Sequence, residues 1–156
     1  MILFRITRTE KRATDLSGMG AFKEGGRWNS HGTYMLYTSE NSSLAFLENL
    51  VYFEQDNTPS NLFLMSIDLK AEDRLVYTLP IALYPKDWME KGNLQNKLLG
   101  DQLMADRKYV ALKIRSAVNP YEFNVLLNPL FPRYHELMKI NSVERLKIDS
   151  RLSHHQ

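Results

Sequence analysis

Thr33-Tyr34-Met35-Leu36-Tyr37-Thr38-Ser39-Glu40-Asn41-Ser42-Ser43-Leu44-Ala45-Phe46-Leu47-Glu48-Asn49-Leu50-Val51-Tyr52-Phe53 changes character at its middle. The aromatic and β-branched content of residues 33–38 predicts a strand. Residues 39–43 are rich in helix-capping types. Residues 44–53 then carry apolar side chains at 44, 47, 50, 51 and at 46, 50, 53, the spacing of a mostly buried helix. A strand running into a helix sets the mixed character that the rest of the chain repeats.

Upstream, residues 2–6 form a short apolar run that reads as an edge or opening strand. Residues 10–32 hold five of the chain's seven glycines, which marks a long loop whose backbone bends sharply or approaches something closely. Phe22 and Trp28 are expected to anchor it. Downstream, strands are predicted over 62–69, 75–79, 109–114, 123–127 and 143–148. A second helix is predicted over 93–105, capped by Asn93, with Leu94, Leu98, Leu99 and Leu103 on one side. Six or seven strands and two helices in mixed order imply an α+β fold, a single compact domain with a mixed β-sheet core and flanking helices. The domain is expected to span 1–150, with 151–156 a tail that frays together with Ser150.

Composition bounds the function. The 156 residues are 44% hydrophobic and 24% charged, enough for one core without staples. There are no cysteines, which removes disulfides, thiolate metal sites and a Cys nucleophile. Twenty Lys and Arg against 18 Asp and Glu leave a net charge of +2. With no basic stripe, that balance does not argue for nucleic acid, and a small nucleic-acid-binding domain is the weakest reading. No signal peptide or membrane span is expected, so the chain reads as a soluble cytoplasmic domain.

Three constellations carry possible chemistry. In Gly25-Gly26-Arg27-Trp28-Asn29-Ser30 the adjacent glycines free the backbone, and Arg27 offers a planar fork for phosphate or carboxylate; the alternative is a turn with an exposed Arg. Glu48, at about 100° per residue, falls between Leu44, Val51 and Tyr52. A carboxylate inside an apolar stripe is costly unless it is paired or faces a cavity. With a raised pKa it would suit proton transfer, and ionised it would stabilise positive charge; the alternative is a packed stem with its head in solvent. Ser116, ending one strand, and Asn124, within the next, are placed to point into a shared pocket. Ser116 lacks the Gly-x-Ser-x-Gly context of a hydrolase elbow, and Asn128-Pro129 reads as a turn. The four histidines, His31, His135, His154 and His155, have no metal-ligand spacing.

Taken in order, these segments resemble the RES domain family, named for its Arg, Glu and Ser. The resemblance runs through Phe4-Arg5-Ile6, Gly20-Ala21, Gly25-Gly26-Arg27-Trp28-Asn29-Ser30-x-Gly32, Tyr37-Thr38-Ser39, Leu44-Ala45-x-x-Glu48-x-Leu50-Val51 and Gly100-Asp101. It continues in Ser116-Ala117-Val118, Glu122-x-Asn124-Val125-Leu126-Leu127-Asn128-Pro129 and Arg151-Leu152. The sequence departs at Arg115, where a Pro often precedes the Ser, and at Phe131-Pro132, which replaces a common His-Pro.

The resemblance implies an ADP-ribosyltransferase-like fold and the toxin of a bacterial type II toxin–antitoxin pair, cleaving NAD+ at the nicotinamide–ribose bond. It implies a partner antitoxin with an Xre-like helix-turn-helix, and no direct DNA contact or membrane contact by this chain. Glu48, Arg27 and Ser116 would form the catalytic set. Glu48 would stabilise the oxocarbenium-like ribose and Arg27 would meet the pyrophosphate. Tyr37 would stack on nicotinamide, Ser116 and Asn124 would make polar contacts with the amide or ribose, and Arg5 would assist. No metal, and no cofactor beyond NAD+ as substrate, is implied. Transfer of ADP-ribose to a protein target, and a catalytically silent antitoxin-binding module, are the alternatives.

Overall fold

The computed structural model describes residues 1–52 and 61–152. Phe53, expected in the first helix, and tail residues 153–156 lie outside the described residues. Seven strands form one sheet: β1 (Ile2–Thr7), β2 (Leu36–Ser39), β3 (Leu62–Leu69), β4 (Val76–Thr78), β5 (Ala111–Arg115), β6 (Phe123–Leu127) and β7 (Met138–Leu146). Their order is β4-β5-β6-β2-β1-β3-β7. β4 and β5 are parallel and the other pairs antiparallel, so the sheet is mixed. Around it pack α1 (Glu10–Ala13), α2 (Met19–Glu24), α3 (Ser42–Leu50), α4 (Leu94–Ala105) and α5 (Tyr134–Leu137). The architecture is the expected α+β single domain.

Strand alternation divides the core between two faces. β6 sends Val125 and Leu127 to one cluster, with Leu3, Leu36, Met65 and Tyr134. It sends Leu126 to the other, with Trp28, Met35, Met104, Leu112 and Ile114. A third cluster, Ile6, Ala45 and Leu62, seats α3 against β1. The two longer helices start where their asparagines allow. The Asn41 side chain accepts from the Leu44 N–H at 2.7 Å, and that of Asn93 from the N–H groups of Gln95 and Asn96. Each cap satisfies donors that a helix start leaves open.

Four local expectations are corrected. β1 is an interior strand, paired on both sides by β2 and β3; sheet position depends on partners distant in sequence. Residues 10–32 are not one loop, since α1 and α2 fall within them; helices this short show little periodicity. In α4 the buried residues are Asn96, Gly100 and Met104, whereas Leu94 and Leu98 are 60% and 51% exposed. A Cβ on Gly100 would collide with the Trp28 carbonyl oxygen, so the helix sets its smallest residue against the turn that carries Trp28. β7 begins five residues before the predicted 143, because a bulge interrupts its alternation: Ser66 pairs with Ser142 but Ile67 with Ile140.

Candidate active site

The register of three strands assembles the site. Asn124 lies opposite Ser39 on β2 and opposite Ile114 on β5. Ser116 stands two residues beyond Ile114, on the same face of the pleat. Tyr37, two before Ser39, shares that face too. α3 follows β2 after two residues and carries Glu48 over this row.

Glu48 is the hub. Its Oε1 accepts from Ser116 Oγ at 2.7 Å and from Asn124 Nδ2 at 2.5 Å. A carboxylate only accepts, so Asn124 turns its NH2 to Glu48 and its Oδ1 to Ser39, whose hydroxyl donates at 2.7 Å. Ser116 Oγ in turn accepts from the N–H groups of Val118 and Asn119 at 3.1 and 3.0 Å. Its proton and lone pairs are therefore committed. Such a hydroxyl holds a carboxylate in place and is poorly disposed to attack a substrate. Glu48 Oε2 takes no hydrogen bond among the described residues. It is the half of the carboxylate left for a ligand.

Glu48, Tyr37, Tyr52 and Asn124 line two adjoining cavities of about 210 and 200 Å³. The first is completed by Arg5 and Ser39 among others, the second by Gly26, Arg27, Trp28, Arg115 and Val118. Tyr37, Glu48 and Asn124 are thus common to both cavities, with Arg5 bordering the first and Arg27 the second. Ser116 is fully buried behind Glu48.

The Gly25–Ser30 turn is built more tightly than a flexible anion loop. The Gly26 N–H donates to the Asn29 carbonyl at 3.0 Å, and a Cβ on Gly26 would lie 2.5 Å from the Tyr37 hydroxyl. Asn29 is fully buried; its amide donates to the carbonyls of Ala21, Ser30 and Thr33. Tyr37 donates its hydroxyl to Asn29 Oδ1 at 2.8 Å and accepts from the Trp28 N–H at 3.0 Å. Burial pushes the phenol well above its ordinary pKa, against the Trp28 hydrogen bond, so it stays protonated. Asp101, beside Gly100, closes the turn by accepting from the Ser30 N–H at 2.9 Å.

Arg27 leaves this turn to grip residues 88–90. Its Nη1 donates to the carbonyls of Trp88, Met89 and Glu90 at 3.3, 2.8 and 3.1 Å. Its other nitrogens have no hydrogen bond among the described residues. Trp28 packs on Trp88 and Tyr84 behind it. Arg5 donates to the Asp15 carbonyl at 3.0 Å. Arg115 donates to the Pro120 carbonyl at 2.7 Å and lies over the Phe123 ring, while Phe131 packs on the core.

The family segments include Ser39 and Asp101, but sequence reading gave neither a role in the site. Ser39 was within reach of it, since it alternates with Tyr37 on one strand. Asp101 was not, because its partner is 71 residues away.

Comparison with known proteins shows the family and the fold. The RES domain family matches residues 2–149. A Photorhabdus laumondii protein named Toxin Res is 36% identical over 155 residues, 97% of each chain. A Sphingobium protein named Prs ADP-ribosylating toxin is 32% identical over 124 residues, 77% of this chain and 76% of its own. The toxin–antitoxin complex of M. tuberculosis MbcT and MbcA contains a similarly folded chain, with a TM-score of 0.71 and 16% identity, covering 93% of this chain and 83% of that one. With a family match across nearly its whole length and Arg27, Glu48 and Ser116 gathered at one site, the chain belongs to the RES domain family.

Proposed function

We propose that the chain is the toxin of a bacterial toxin–antitoxin pair and that it cleaves NAD+ at the nicotinamide–ribose bond. The observation that carries this reading is Glu48, with one oxygen held by Ser116 and Asn124 and the other taking no hydrogen bond among the described residues where two cavities meet. The names of the relatives support the toxin role.

The chemistry suits a fixed anion. Nicotinamide leaves NAD+ from a positively charged nitrogen, so breaking the C1′–N1 bond returns the electron pair to that nitrogen and needs no proton. The positive charge passes to the ribose, and preorganised negative charge beside it lowers the barrier. Water adds at C1′ and releases a proton, giving ADP-ribose. Glu48 Oε2 is suited to the ribose, Tyr37 and Asn124 to the walls around it, and the free face of Arg27 to an anionic or carbonyl group of the substrate. Arg5 borders the same space. Ser116 acts through Glu48 as a positioning residue.

Purified protein incubated with NAD+, with and without phosphate, should release nicotinamide, and product masses will identify the acceptor. Expressed alone, the chain should stop growth as cellular NAD+ falls. Growth arrest with NAD+ unchanged would instead favour transfer of ADP-ribose to a protein, the reading that the Sphingobium relative's name supports. The partner is a cognate antitoxin with an Xre-like helix-turn-helix, which supplies the DNA contact. The toxin alone should show no sequence-specific operator binding.

A further inference from the structure

Beyond the Glu48 cavity lies a third, of about 290 Å³, walled by Arg5, Arg8 and Arg12. It shares Arg5, Ile6, Asn49 and Tyr52 with the 210 Å³ cavity, so the two adjoin. Glu24 is its one acidic wall residue. Elsewhere Arg74, Arg133 and Arg151 each pair with a carboxylate two or three residues away. Among the described residues no carboxylate lies within ion-pair distance of Arg5, Arg8 or Arg12.

The guanidiniums of this cluster are largely uncommitted. Among the described residues the Arg8 side chain donates only to the Tyr52 carbonyl, at 3.4 Å, and the Arg12 guanidinium makes no hydrogen bond. A Cβ on Gly20 would lie 2.5 Å from Arg12 Nη2, so the glycine makes room for that guanidinium. Burial and then the like charge of Arg12 hold the Arg5 guanidinium below its ordinary basicity. A bound dianion would relieve both.

We infer that Arg8 and Arg12, with Arg5 as the shared wall, form the subsite for the pyrophosphate bridge of the dinucleotide whose ribose meets Glu48. This rests on the NAD+ reading. Among the described residues the three arginines outnumber the nearby carboxylates, Glu24 in the wall and Asp15, which acts on Arg5 and Arg12, so the cavity keeps net positive charge for an anionic pyrophosphate. Guanidinium forks meet phosphate oxygens in pairs. The shared wall sets the arginines beside the Glu48 cavity, within the span of one dinucleotide, and leaves Arg27 at the other, nicotinamide-side cavity.

The test compares wild type with the Arg8→Gln/Arg12→Gln double variant. Both side chains are solvent-exposed, so the fold should persist, as circular dichroism will check. By calorimetry, inorganic pyrophosphate should bind wild type, compete with NAD+, and bind the variant about 10–100-fold more weakly, the loss expected for charge-assisted hydrogen bonds. The variant's KM for NAD+ should rise by a similar factor with kcat nearly unchanged. Cleavage of nicotinamide riboside, which has no phosphate, should be unaffected. Pyrophosphate binding equally to both proteins, or binding alongside NAD+ without competition, would overturn the inference; the second result would mark a site for a free anion. Equal losses on NAD+ and the riboside would overturn it too. The pyrophosphate arm needs no turnover, so wild type that binds pyrophosphate at the arginines without cleaving NAD+ would refute the functional reading and leave the anion cavity standing.

Discussion

Ser116 Oγ sits 2.7 Å from Glu48 Oε1, and the N–H groups of Val118 and Asn119 close on the same hydroxyl from behind. Two residues 68 positions apart in the chain are thereby set in one geometry, with the serine's proton directed at the carboxylate. The backbone turn after β5 orients the serine, and the serine orients the glutamate. Asn124 repeats the arrangement from β6, steadied by Ser39. The carboxylate is held by its back oxygen and presents its front one.

Replacing Ser116 with Ala should therefore misplace Glu48 and leave two amides unpaired. Turnover should fall by about 10²-fold, comparable to losing one preorganised donor. Unpaired buried groups cost about 1–3 kcal/mol, and each kcal/mol lowers Tm by about 2–4 °C in a chain of this size. Nicotinamide release and a thermal melt measure the two effects. Unchanged turnover in a destabilised variant would restrict Ser116 to the fold.

Glu48→Gln keeps an oxygen able to accept from Ser116 and Asn124 while deleting the charge. Turnover should drop by about 10²–10³-fold, whereas NAD+ binding should change far less, because the charge matters most as the bond breaks. Single-turnover rates and equilibrium binding separate these quantities. Normal turnover with an early melt would make Glu48 a structural helix residue.

Arg27→Lys preserves charge but not the reach of one nitrogen to three carbonyls, nor the planar face left for substrate. Activity should fall by about tenfold, the scale of one lost charge-assisted hydrogen bond, and Tm should fall as residues 88–90 lose their tether. Steady-state kinetics and melts report both, and unchanged values for the two would remove Arg27 from the machinery.

Gly100→Ala tests the seat of the Arg27 turn without touching the cavity. The added methyl meets the Trp28 carbonyl, an overpacking worth about 1–3 kcal/mol and a fall in Tm of roughly 2–12 °C. Because Trp28 adjoins Arg27, activity should fall with stability. A variant melting like wild type would mean that α4 can shift away at no cost.

Much of this was legible from the chain alone. β3 and β6 run over the predicted residues, and both longer helices start at their asparagine caps, because strand propensity and capping are local properties. The family segments mark Arg27, Glu48, Ser116 and Asn124, but the expected shared pocket holds only for Asn124: Ser116 is buried behind Glu48 and lines neither cavity.

The sequence by itself determined the element types, the α+β class and the residues worth examining, since these depend on neighbours within a few positions. Tertiary structure alone decided what those residues do to one another. It alone showed that β1 is interior, that Gly100 rather than Leu94 and Leu98 faces inward, that Arg27 is half spent on carbonyls, and that Arg5, Arg8 and Arg12 wall one cavity with no carboxylate of the described residues within ion-pair distance. Each of these outcomes depends on partners tens of residues away, and no local pattern encodes which distant backbone will fill a side chain's hydrogen bonds.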